Sequence, residues 1–166
     1  MIRERRPADD AAIKGIVDAA FGRDAESGLV EALRDSNLAA VELVATEDDE
    51  IVGHVMMSAL SVFVDDQPVP SLALAPLAVR PDLQRTGIGT ALIDVGLDVA
   101  RAREWQAVVV LGDPAYYQRF GFTGEAAEHL DAPYSGESFM ALELVEGALD
   151  GEDGLVVYSA PFSRVD

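Results

Sequence analysis

The chain has 166 residues, 12 Lys or Arg against 30 Asp or Glu, a formal charge of −18, and 49% apolar residues. A chain of this length buries about two thirds of its unfolded surface, so one folded domain spanning residues 1–166 is expected, with the charge decorating the fold rather than preventing it. The acidity disfavours nucleic acid and anionic membrane surfaces as partners, and the absence of Cys removes disulfides, zinc thiolates, iron–sulfur ligation and a cysteine-bound acyl group.

The basic residues are eleven Arg and a single Lys, Lys14. A high-salt habitat and a GC-rich genome both account for that ratio, and only the first also accounts for the full charge. No apolar run approaches the 18 residues of a membrane span, and Met1–Pro7 lacks the apolar stretch of a signal peptide, so a cytoplasmic location is expected.

Ile2–Arg6 reads as a short strand, followed by a cap at Pro7–Asp10 and a helix with Ile13, Ile16, Val17 and Ala20 on one face. A second helix is predicted over about 25–34, with Leu29, Val30 and Leu33 inward. Two strand-like runs, Val41–Thr46 and Ile51–Val62, flank Glu47–Glu50 and predict a hairpin with a charged turn. Asp65–Pro68 reads as another turn. Ser71–Val79 is an apolar strand interrupted by Pro76, where the ladder should be bulged or unpaired because proline has no N–H to donate. From Thr86 to about Arg103, Ile88, Leu92, Val95, Val99 and Ala102 recur with helical spacing. Ala107–Leu111 is a short buried strand, Asp113 an N-cap before Pro114, and Pro114–Phe120 a short helix ended by Gly121. Ser138–Val145 and Leu155–Ser159 complete the strands, in a C-terminal region of about 138–160. Ser135 and Ser138 lack the surroundings of a nucleophile elbow.

The segment with chemical content is Leu77-Ala78-Val79-Arg80-Pro81-Asp82-Leu83-Gln84-Arg85-Thr86-Gly87-Ile88-Gly89-Thr90. It runs strand, glycine-bearing loop, helix, an arrangement that presents backbone N–H groups and the positive end of a helix to a phosphate. A dinucleotide fingerprint needs a third glycine where Leu92 stands, and a Walker A loop needs a lysine this segment lacks.

Gln84-Arg85-Thr86-Gly87-Ile88-Gly89 resembles the Gln/Arg-x-x-Gly-x-Gly/Ala signature of the GNAT superfamily of N-acetyltransferases. The likeness continues through Pro76–Pro81 and through Tyr116-Tyr117-Gln118-Arg119-Phe120-Gly121-Phe122. It implies an α/β (α+β) domain with a mixed, mostly antiparallel sheet flanked by helices and a splayed strand pair, the coenzyme core lying at about 71–122. It implies acetyl-CoA as donor, with pyrophosphate on the Gln84, Arg85, Thr86, Gly87, Ile88, Gly89 and Thr90 segment and pantetheine along Leu77, Ala78 and Val79. A backbone amide, that of Leu77, would serve the oxyanion, and no metal is implied. Tyr117 stands where the family places its general acid.

The family's strand glutamate has no counterpart between Leu72 and Val79. The base candidates are therefore His54, Glu26 or a water path. Asp113 near a common coenzyme contact reads first as a cap. The acceptor would be a primary amine, and the family's habits allow a homodimer. A coenzyme-binding module without catalysis, a sensor or structural partner, is the competing reading. Residues 1–70 carry 6 basic and 15 acidic groups, residues 71–122 carry 5 and 5, and residues 123–166 carry 1 and 10. The neutral middle suits a polyanionic coenzyme, and the acidic flanks suit a cationic amine.

Overall fold

Asp9 sets the first helix. Its carboxylate accepts the Arg6 backbone N–H at 2.7 Å and the Arg3 guanidinium at 2.8 and 3.0 Å, so the residue before α1 (Asp10–Phe21) also ties that helix to strand β1 (Ile2–Glu4). Ile13, Ile16 and Val17 lie on the buried face, as their spacing requires, and Gly22 ends the helix in the left-handed region with φ 69°. A second helix, α2 (Ala25–Asp35), buries Leu29, Val30 and Leu33. The computed structural model describes residues 1–134 and 136–164, so Ser135 lies outside the described residues.

The described residues form two units: residues 1–58, 75–99 and 160–164, and residues 59–74 with 100–134 and 136–159. In the first, β1 pairs antiparallel with β2 (Ala39–Glu47), which forms a hairpin with β3 (Glu50–Val64). The two turn residues, Asp48 and Asp49, have φ of 51° and 66°, the left-handed pair of a tight hairpin that aspartate tolerates better than most residues. Strand β5 (Ser71–Val79) follows β3 in the sheet, and the Arg80 amide bonds the Val52 carbonyl at 2.8 Å. Ile13, Ile16 and Val17 of α1 pack with Val44 and Ala78 on one face.

Helix α3 (Ile88–Ala102) packs against the strands of this unit through glycine. A side chain at Gly53 would meet Ile88 and Leu92 at 3.0 Å each, and one at Gly96 would meet the Met57 terminal methyl at 2.8 Å. The periodicity expected Ile88, Leu92, Val95, Val99 and Ala102 inward. The buried stripe is instead Leu92, Ile93, Leu97 and Ala100, while Val95 is 37% exposed. Gly96 explains the rotation: the face that closes on the sheet is the one with no side chain in its centre, and a count of apolar residues passes over it.

In the second unit the sheet order is β3, β5, β6 (Ala107–Leu111), β8 (Phe139–Glu143). β6 runs parallel to β5 over Ser71–Ala73, where that ladder ends, and antiparallel to β8 along its whole length. The ladder therefore stops short of Pro76, in agreement with the interruption expected there. Asp65 and Asp66 form a second left-handed turn, and the expected four-residue turn contracts to those two because Gln67–Pro68 is strand β4, paired with Val64 and Phe63. The far end of β3 also pairs with β9 (Gly154–Val157), which lies beside β7 (Leu130–Asp131). Asp113 caps α4 (Pro114–Tyr117) by accepting the Ala115 amide at 3.0 Å, and Gln118–Phe120 continues as a tighter turn to Gly121, φ 97°. Neither β7 nor α5 (Gly124–Ala127), capped by Thr123, was expected, because elements of two and four residues carry no periodicity.

The two glycines at the contact of α3 with β3 should behave differently when filled. Gly96→Ala should leave thermal stability within about 1 kcal/mol, because the methionine tip can rotate aside and alanine gains about that much helix propensity. Gly53→Val should cost about 2 kcal/mol or more, since branched carbons must enter between Ile88 and Leu92. Denaturant unfolding of both variants checks the order, and equal losses would contradict it.

Candidate functional site

The loop between β5 and α3 is built by backbone conformation. Pro81–Leu83 forms a short 3-10 turn, after which Arg85 takes φ 66° and Gly87 φ 94°. A side chain at Gly87 would meet nothing within 4 Å, so the backbone angle and not crowding calls for glycine there. Thr86 donates its hydroxyl to the Leu83 carbonyl at 2.5 Å, and Gln84 donates its side-chain amide to the Val79 carbonyl at 3.2 Å. These bonds close the loop onto the end of the strand. The Ala91 amide makes its helical bond to the Gly87 carbonyl at 3.0 Å, so Ile88, Gly89 and Thr90 form the first turn of α3. Residues Gln84–Gly87 are exposed. An exposed turn of left-handed residues running into a 15-residue helix places backbone dipoles and the helix's positive pole together, which fits an anionic group such as a phosphate. Around it, Arg80 is held by Asp82 at 2.7 Å and Glu50 at 3.5 Å.

His54 sits in the same unit, fully buried. Its Nε2 lies 2.8 Å from a Glu42 carboxylate oxygen, which also accepts from Arg34 at 2.5 Å, with a second Arg34 contact to the other oxygen at 3.0 Å. Bonding an ionised carboxylate requires Nε2 to carry a hydrogen, and Nδ1 has no hydrogen-bond partner. Burial raises the Glu42 carboxyl pKa, but the bonds from His54 and Arg34 outweigh it and leave the group below the usual glutamate range. The chain of charge continues outward, since Arg34 lies 3.5 Å from Asp10, which Arg5 grips at 2.7 and 2.6 Å. Arg5, Asp10 and Arg34 line a cleft of about 540 Å³ between α1 and α2. Glu26, the other base candidate, is almost wholly buried and accepts from Nε and Nη2 of Arg23, at 2.9 and 2.5 Å.

Tyr117 belongs to the second unit, at the end of α4. Its ring packs edge-on to Tyr116, centroids 5.0 Å apart, and to Phe122 at 5.8 Å. Burial, with a smaller contribution from Tyr116, pushes its phenol up to about 12. The group therefore keeps its proton across the physiological range and is suited to donate one. Asp113 serves as the cap described above. Among the described residues no three His, Asp or Glu side chains are placed to hold a metal ion.

Sequence reasoning passed over Glu42 and Arg34. The signal was present: a glutamate in the apolar run Val41–Val44 must find a cation when that strand is buried. Removing it should be costly. Glu42→Gln is expected to lose about 3 kcal/mol at pH 7, leaving Arg34 and His54 without their carboxylate. Because the folded carboxyl titrates below its unfolded value, that contribution is present above the unfolded value, near 4.5, and fades as pH falls through the lower folded one. Melts at pH 7 and pH 3 should show the gap between variant and parent shrinking, and a gap unchanged with pH would refute the assignment.

Residues 11–122 match the acetyltransferase (GNAT) family. The chain is 37% identical over 169 residues to the uncharacterized N-acetyltransferase YhbS of Escherichia coli K12, covering 99% of both chains. The crystal structure of Escherichia coli YhbS in complex with CoA superposes with a TM-score of 0.90 at 36% identity, covering 100% of this chain and 93% of that one. A GNAT family acetyltransferase from Brucella melitensis in complex with acetyl-CoA gives 0.79 at 34% identity, over 98% and 97%. With a family match over residues 11–122 and a relative 37% identical over 99% of both chains, the chain belongs to the GNAT family of N-acetyltransferases.

Proposed function

We propose that the chain moves an acetyl group from acetyl-CoA directly to a primary amine of a small molecule or protein. The observation that carries this reading is the Arg85–Thr90 segment, where two left-handed residues lead into the start of α3 within a stretch of no net charge. Gln84, Arg85, Thr86, Gly87, Ile88, Gly89 and Thr90 hold the pyrophosphate, and Leu77, Ala78 and Val79 lie along the pantetheine arm. The bound CoA and acetyl-CoA of the two relatives support this choice of ligand. Acetyl-CoA supplies the activated acetyl thioester. The Leu77 backbone N–H donates to the carbonyl oxygen as it gains negative charge. The Tyr117 hydroxyl gives its proton to the departing sulfur, so that an S–H bond forms as the C–S bond breaks.

An alkylamine acceptor, with a pKa near 10.4, must first lose a proton. His54 is enclosed and bound to Glu42, and Glu26 is clamped by Arg23. We therefore assign that proton to water, with His54 and Glu26 as the residues whose substitution tests the assignment. The acidic flanks favour a cationic acceptor.

Gly87→Val should raise the Kd for acetyl-CoA at least about tenfold by calorimetry, because a branched residue is strained at φ 94°. Tyr117→Phe should lower kcat about 100-fold while that Kd stays within about twofold. Binding without acetylation across an amine panel would instead favour a non-catalytic coenzyme-binding module. For an alkylamine acceptor, kcat/KM should rise about tenfold per pH unit from 7 to 9 as the neutral amine accumulates. Tyr117 keeps its proton throughout that window. Glu26→Gln and His54→Gln, each checked for folding, should preserve that slope, and loss of it in either variant would transfer the base role to that residue.

A further inference from the structure

Gly112 ends the strand that leads into the Tyr117 turn, and its need for glycine is not a matter of backbone angle. It is absent from the glycines with φ in the left-handed region, which are Gly22, Gly87, Gly121, Gly136, Gly147 and Gly151. Its amide donates to the Ser138 carbonyl at 2.9 Å, an ordinary extension of the β6 and β8 pairing. What excludes a side chain is the Tyr117 ring. A Cβ at position 112 would stand 2.5 Å from Cε2, 3.1 Å from Cδ2 and 3.5 Å from Cζ, so one edge of the ring occupies the space a side chain would need. Contacts below about 3 Å between carbons are not tolerated, and one partner has to move.

The ring has little freedom to do so. Tyr116 and Phe122 meet it edge-on, Phe120 lies 6.3 Å away at a tilt, and the Asp113 cap with Pro114 fixes the first turn from which Tyr117 projects. Gly112 borders the ring on its Cε2 edge. Any displacement of the ring swings its hydroxyl, which lies at the far end of the lever and is the atom that has to reach the leaving sulfur.

We propose that Gly112 is a positioning residue for Tyr117: the absence of a side chain at position 112 is what lets the phenol rest where it donates its proton. The inference rests on the general-acid reading of Tyr117 and adds the residue that aims it.

The test is a double-mutant cycle on the full chain with acetyl-CoA and an accepted amine. Gly112→Ala should lower kcat about tenfold while the KM for acetyl-CoA stays within about twofold. In the Tyr117→Phe background the same substitution should change kcat by less than about twofold, because there is no hydroxyl left to misplace. Ultraviolet titration supplies a readout independent of turnover. With Tyr117 packed as described, its phenol ionises only at about 12, and Gly112→Ala should bring one tyrosine back toward the ordinary value near 10. Two results would overturn the inference: Gly112→Ala turning over like the parent, or Gly112→Ala costing as much with phenylalanine at 117 as with tyrosine, which would mark a purely structural glycine. Failure of the underlying acid reading shows differently, as a Tyr117→Phe variant that keeps full kcat.

Discussion

The close approach of α3 to β3 is the constraint from which the rest of the first unit follows. Gly53 on the strand and Gly96 on the helix each leave room for a neighbour from the other element: Ile88 and Leu92 fill one, Met57 the other. Two contacts nearly two helical turns apart fix both the rotation and the depth of the helix. Its first turn, and with it the Arg85–Thr90 segment, is therefore carried on a rigid support. A phosphate site made of backbone amides depends on such support, because it has no long side chains that can adjust to a misplaced ligand.

Electrostatics divides the molecule in a complementary way. The β5–α3 loop presents backbone dipoles in a stretch with no net charge. The opposite face of the same strands carries a connected line of ionised side chains, from Arg5 and Asp10 through Arg34 to Glu42, whose carboxylate also bonds His54. Each buried charge on that line is met by an opposite one, as burial demands. His54 is the inner end, and its burial and its bond to Glu42 explain why a titratable residue on a central strand need not be the proton acceptor that its chemistry first suggests.

The main helices, the hairpin turns and the glycine-bearing loop before α3 were legible in the sequence because each has a local cause: apolar spacing, paired aspartates, or glycines before a helix. Asp113 read as a cap for the same reason, since capping is settled within three residues. What was not legible depends on residues distant in the chain. The inward face of α3 was misjudged because Gly96 counts as neutral in any hydrophobic pattern, and its importance appears only opposite Met57. Gly112 likewise looks like part of a Gly-Asp-Pro turn until the Tyr117 ring is seen beside it. The Arg34 and Glu42 partnership of His54 spans 8 and 12 residues and three different elements, so no local window contains it.

The central claim is direct transfer of acetyl from acetyl-CoA to an amine on a protein with no cysteine to carry it. Intact-protein mass spectrometry during a single turnover, with the small-molecule products followed in parallel, tests this most directly. The account predicts acetylated amine and CoA appearing together in equal amounts while the mass of the protein stays that of the unmodified chain. An acetylated protein species that forms before the product and decays into it would contradict the account, as would CoA release with no acetylated amine across a broad panel of acceptors.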